Sequence, residues 1–151
     1  MRAVRHESIA VSQSADAVFQ AALGVVQNAK NTRILAVHDQ ARKIVTREKP
    51  KMSNAKFQEV WVQENGDGAT LNVAVGTDPR TPKALLDGKF NGSSLAKLVE
   101  NIQAVLAGTA SAPVTPVPNH YLQKKEQVAW LDPNEDPQIE LDGNLLALYG
   151  L

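Results

Sequence analysis

A chain of 151 residues suits one domain with room for an appendage. Having no cysteine, it holds no disulfide, no thiolate metal site and no cysteine nucleophile. Its charges cancel overall but not locally: residues 1–108 carry 14 Lys/Arg against 10 Asp/Glu, and residues 109–151 carry 2 against 6. That opposition favours contact between the end of the chain and a domain, its own or a neighbour's.

The opening MRAVRHESIA is basic but has no apolar run, which argues against a secretory signal. No stretch approaches the roughly 18 apolar residues of a membrane helix. A cytoplasmic setting with no membrane span is expected. Residues 7–12 read as a first strand. Ser14 then suits a helix N-cap, with Asp16 in the first turn where the helix dipole favours an anion. Val18, Phe19, Ala22, Leu23, Val26 and Ala29 recur at helical spacing, and Asn31 suits a left-handed terminator. Residues 32–39 and 43–49 are β-rich runs joined by a polar turn. Residues 56–64 and 69–77 form another pair, meeting across Asn65-Gly66-Asp67-Gly68, where the Asn-Gly step can take positive φ.

The stretch GTDPRTPKALLDGKFNG is broken by Pro79 and Pro82, with one turn of helix or a short strand expected over 83–86. Ser93 or Ser94 is expected to cap a second helix. Its stripe is Leu95, Leu98, Val99, Ile102, Val105 and Leu106, and Gly108 ends it. The predicted class is α+β: an antiparallel sheet of four or five strands with both helices on one face, ordered β-α-β-β-β-β-α. From ESIAVS to SSLAKLVENIQAVL, this order resembles the helix-grip arrangement of START and Bet v 1-like domains. It departs from them in having fewer strands and no paired small helices after the first strand. It also resembles the β-α-β4-α layout of TATA-binding-protein-like domains. The resemblance implies a fold and carries no functional residue over.

After Gly108 the composition changes. Residues 109–120 are small and Pro-rich and predict an extended linker from a domain of residues 1–108. Residues 121–151 predict an extended tail with an acidic stretch and an apolar end. Tyr121, Trp130, Leu131, Leu145, Leu146, Leu148 and Tyr149 are too many apolar groups to leave in water.

Motifs of chemistry are thin. Residues 132–143 begin like a calcium loop, but Pro137 and Gly143 occupy the places that need glycine and a bidentate glutamate. Asn91-Gly92-Ser93 matches a glycosylation acceptor, for which helix capping by Ser93 is the better reading. His38 reads as a surface residue at a strand end. Nothing resembles a nucleophile elbow or a phosphate loop, so the chain reads as non-catalytic, with no metal and no cofactor. An enzyme would have only Glu59, His38, Arg80 and Lys83 to work with. Phe57, Glu59 and Trp61 share one face of their strand and Val60 and Val62 the other. One face should meet the helices: if the Val face does, Phe57 and Trp61 are left on the opposite side of the sheet, and if the aromatic face does, Glu59 lies near a cavity with a raised pKa, the pattern of a ligand or acid–base site. The plainer expectation is that Glu59 pairs with a neighbouring-strand Lys or Arg.

Arg42, Lys43, Arg47 and Lys49 make a basic surface on an expected edge hairpin, too sparse in aromatics for nucleic acid. The favoured function is a small non-catalytic protein-interaction module. Its apolar tail would dock on its own sheet, on a second copy as a homodimer, or on another protein. The alternative is a domain binding an apolar small molecule or lipid between sheet and last helix, lined by Phe57, Glu59, Trp61, Leu85, Phe90 and Leu98.

Overall fold

The structure, a computed structural model, describes residues 1–114. Its elements are β1 (Arg2–Val11), α1 (Ala15–Asn28), β2 (Thr32–His38), β3 (Lys43–Glu48), β4 (Lys56–Asn65), β5 (Gly68–Thr77) and α2 (Asp87–Leu106). The strands form one antiparallel sheet in the order β1-β5-β4-β3-β2. Both helices lie on one face of it, as the paired apolar stripes require. Val18, Leu23 and Val26 of α1 and Leu98, Val99 and Ile102 of α2 share a core with Ile44, Val60, Leu71, Val73 and Val75 of the sheet. Burying such side chains contributes about 1.5–3 kcal/mol each.

Local chemistry sets the boundaries. Ser14 caps α1, its Oγ accepting from the Ala17 N–H at 3.2 Å. Asn31 takes φ 58° between α1 and β2. In the β4–β5 hairpin, Asn65 pairs with Gly68, so the two central residues are Gly66 and Asp67. Gly66 alone of that pair has positive φ, at 59°, the pattern of a turn that needs glycine first. The expected Asn-Gly centre is therefore displaced by one residue.

Three further expectations are corrected. β1 begins at Arg2 rather than residue 7, because it is an edge strand whose outward residues tolerate charge. α2 begins at Asp87, one to two turns before Ser93 and Ser94, which are helix-interior residues and not caps. β3 lies inside the sheet, between β2 and β4, so the basic hairpin presents only β2 as an edge.

Past α2, residues 109–114 fold back along α1. Asn28 Nδ2 donates to the Pro113 carbonyl at 3.2 Å, and Ala112 and Val114 pack on the core. A Cβ at Gly24 would stand 1.9 Å from the Ala112 carbonyl oxygen, so glycine is what permits this approach. The calls on linker residues beyond 114, on the calcium-like stretch and on Tyr121, Trp130, Leu131, Leu145, Leu146, Leu148 and Tyr149 lie outside the described residues.

Candidate functional site

The helix-facing side of the sheet changes character along its strands. At one end Ile9, Leu71 and Val62 stand in register, followed by Val73, Val60, Ile44 and Val37. At the other end the apolar rungs give way. One rung holds Val75, Gln58, Thr46 and Ile34. The last is polar throughout: Arg2, Thr77, Lys56, Glu48 and Thr32. Thr46, Gln58, Lys56 and Thr77 are all buried. Polar groups in such a place are costly unless hydrogen-bonded.

The N-terminal half of α2 supplies the bonds. Thr46 Oγ1 donates to Gln58 Oε1 at 2.8 Å. Gln58 Nε2 donates to Ser94 Oγ at 3.0 Å and to Glu48 Oε2 at 3.1 Å, and Ser94 Oγ donates to the same carboxylate oxygen at 2.5 Å. Asn91 Nδ2 donates to Thr77 Oγ1 and to the Ala3 carbonyl, both at 2.9 Å. Ala3 sits at φ 49° beside an irregularity in β1, a conformation that costs a non-glycine residue about 1–2 kcal/mol. The buried Asn91 amide helps hold it there. Asn91 is thus a packing residue inside α2, not a glycosylation acceptor.

Lys56 Nζ donates to Ser53 Oγ at 2.9 Å and lies 6.0 Å from the centre of the Phe90 ring. Burial lowers the Lys56 pKa, while Glu48 and Asp87 nearby oppose that shift. Two loops close over this end. Asn54 Nδ2, between β3 and β4, donates to Asp87 Oδ1 at 3.0 Å and to the Pro82 carbonyl at 2.8 Å. Arg2 reaches the second loop through the Thr81 carbonyl at 2.8 Å. The same loops leave three large apolar side chains in water: Met52, Leu85, which is fully exposed, and Leu86.

The expected pocket residues do not assemble as a set. Phe57, Glu59 and Trp61 are on the sheet face turned away from both helices, because the Val60–Val62 phase of β4 faces inward. Phe90 and Leu98 are on α2, Phe90 beside Lys56 and Leu98 in the core. Leu85 is on the rim, not in a lining. Glu59 pairs with Lys43 of the neighbouring strand, as expected for an outward Glu59. Trp61 stacks on His6, ring centres 5.4 Å apart and planes 5° from parallel, with Lys43 Nζ 5.9 Å from its ring.

The basic surface is largely spoken for. Arg42 bonds Asp16 at 2.7 Å and Glu64 at 3.0 Å, Lys43 pairs with Glu59, and Arg47 bonds Asp78 at 2.9 Å; Lys49 is exposed. His38 is fully buried rather than on the surface. Among the described residues, no group of three or more His, Cys, Asp or Glu could hold a metal ion, and no helix is long and apolar enough to cross a membrane.

In the sequence Lys56 and Gln58 read as ordinary strand polarity, which hides the polar rungs. The signal was present: they share the phase of Val60 and Val62, so they point inward with them.

No family model and no curated protein matches the sequence. Solved structures do match the fold. The chain is similar to Ara h 8.0201, with TM-score 0.52 at 9% identity over 70% of this chain and 97% of that one. The fold is helix-grip. It is similar also to DynU16, a protein of the dynemicin biosynthetic locus, with TM-score 0.53 at 12% identity over 72% of this chain and 49% of that chain. Of the two family layouts that the element order resembles, these structures favour the helix-grip one, with the single helix α1 where that family has a pair.

Proposed function

We propose that this helix-grip domain binds a small molecule with an apolar body and a polar or anionic head, held at the polar end of its sheet. The observation that carries this is the buried run of Thr46, Gln58, Lys56, Thr77 and Asn91 inside an otherwise apolar sheet–helix interface, beneath exposed Leu85, Leu86 and Met52. A fold needing only stability is served there by apolar side chains, as it is in the adjoining rung of Val73, Val60, Ile44 and Val37. Lys56 supplies the cation, Gln58 and Ser94 supply exchangeable hydrogen bonds, and the loop leucines supply apolar contact at the rim.

The test uses the full-length chain and anilinonaphthalene sulfonate, an apolar body with an anionic head. Saturable fluorescence gain is expected, weakened about tenfold, or ~1.4 kcal/mol, in the Leu85→Asp/Leu86→Asp variant. Those two residues are exposed, so that variant keeps its fold. Absence of saturable binding, or unchanged affinity in the variant, overturns the proposal.

A second reading, the tail-mediated interaction module, has a separate observation behind it. Phe57 and Val45 are 1% and 0% exposed on the sheet face that carries neither helix.

A further inference from the structure

The sheet has a second face, and its burial is uneven. In register across it stand Ala36, Val45, Glu59, Ala74 and His6, and next to them His38, Lys43, Trp61, Asn72 and Ser8. On β2, β3 and β4 this face is covered: Ala36 is 3% exposed, His38 0%, Val45 0% and Phe57 1%. On β1, at the opposite edge, His6 and Ser8 are exposed. An edge strand on an uncovered face should be among its wettest parts, yet β2 is among its driest. Both described helices pack on the other side, so neither accounts for this.

The path of the chain points to an occupant. Residues 109–114 run back along α1 to Asn28, whose amide holds Pro113. Asn31 stands three residues past the end of α1 and one before β2, and its carbonyl accepts from the Lys49 N–H at 2.9 Å, so the C-terminal end of α1 lies close to the start of β2. The described chain therefore stops near the dry edge of the sheet. Thirty-seven residues follow it, numbered 115–151. At up to about 3.3 Å per residue they exceed several times the roughly 19 Å across five strands. Residues 1–114 carry 14 Lys/Arg against 10 Asp/Glu, and residues 115–151 carry 2 against 6, so the charges are complementary. The same segment brings Trp130, Leu131, Leu145, Leu146 and Leu148, apolar groups to match Phe57 and Val45.

We infer that residues 121–151 of the same chain round the β2 edge and cover the second face of the sheet over β2, β3 and β4. The helix-grip domain is then a three-layer unit, helices on one side and its own C-terminal segment on the other. The inference rests on the tail-interaction reading and narrows it to an intramolecular contact, independent of the ligand site on the opposite face.

The experiment is photo-crosslinking in the full-length chain. p-Benzoylphenylalanine replaces Trp61 in one variant and Gln63 in another; both are on the second face, and Gln63 is exposed. A third variant carries it at Ala96, exposed on α2, as the control. Each is prepared as an equal mixture of isotopically light and heavy chains. The expected result is crosslinks from position 61 or 63 to peptides within 121–151, with light joined only to light and heavy only to heavy, and none from position 96. Light–heavy crosslinks overturn the intramolecular contact while leaving the interaction reading in place. No crosslink to 121–151 from either position overturns both.

Discussion

Asp78 is fully buried where β5 meets the loop to α2, and its carboxylate is the hub of that corner. Oδ1 accepts from Arg80 Nε at 2.9 Å and from the Arg80 backbone N–H at 3.0 Å; Oδ2 accepts from Arg47 at 2.9 Å and from Arg80 at 2.5 Å. Burial by itself would raise the carboxyl pKa. The bonds from Arg80, then from Arg47, outweigh it and bring the value from 3.8 down to about 2.

A folded-state pKa below the unfolded one contributes stability that is present above the unfolded value and lost as pH falls through the folded value. The window is therefore pH 4 to 2. The full shift corresponds to about 2.5 kcal/mol, and Arg80 is 40% exposed, so screening leaves about 2 kcal/mol at neutral pH. Near pH 2 only ~0.4 kcal/mol of the shift survives. Asp78→Asn removes the charge and keeps the shape. With urea slopes of about 1–3 kcal/mol per molar, its midpoint at pH 7 is expected roughly 1 M below that of the parent chain. At pH 2 the two midpoints are expected to converge. Equal gaps at both pH values, or none at pH 7, would refute the reasoning. Because Asp78 anchors the loop bearing Leu85 and Leu86, the variant is also expected to bind anilinonaphthalene sulfonate more weakly.

Three other outcomes follow from the same geometry. Lys43 and Glu59 pair with side chains only 11% and 10% exposed, so Glu59→Gln is expected to cost about 3 kcal/mol in urea unfolding. Replacing both partners by methionine is expected to recover most of that loss, and a double variant as unstable as the single would contradict it. Gly24→Ala places a methyl against the Ala112 carbonyl, so residues 109–114 are expected to lift from α1 and become sites of rapid limited proteolysis; an unchanged digestion pattern counts against that packing. Ser14→Ala is expected to lower stability by about 1 kcal/mol through loss of the α1 cap, and a neutral result would mean that water replaces the hydroxyl.

Much of the fold was legible in the sequence because period and capping agreed. The α1 stripe, the Ser14 cap and the alternation of β4 and β5 each read correctly; Asn31 takes the positive φ expected of it, but in the turn before β2, since α1 ends at Asn28 with Ala29 as its extended cap. Errors arose where tertiary packing overrode a local signal. Ser94 looks like a cap, but its hydroxyl is taken by Glu48, so α2 extends past it to Asp87. His38 looks like a wet strand end, yet it is fully buried on the sheet face away from the helices. Arg42, Lys43 and Arg47 read as the free basic surface of an edge hairpin, and only the fold brings their acidic partners, distant in sequence, alongside. The site was legible in part. Lys56 and Gln58 stand in the inward phase of β4, but that the N-terminal half of α2 would meet them with Ser94 depends on the crossing of helix and sheet.

The most direct test of the proposed function is an amide-resolved NMR titration of the full-length chain with anilinonaphthalene sulfonate. Saturable shifts are expected at Asn54, Lys56, Gln58, Phe90 and Ser94 and in the loop carrying Leu85 and Leu86. Ile9, Leu71 and Val62, at the apolar end of the same sheet, are expected to stay in place. Shifts confined to that apolar end or to the second face of the sheet, or no saturable shifts at all, would contradict a ligand site at the polar end.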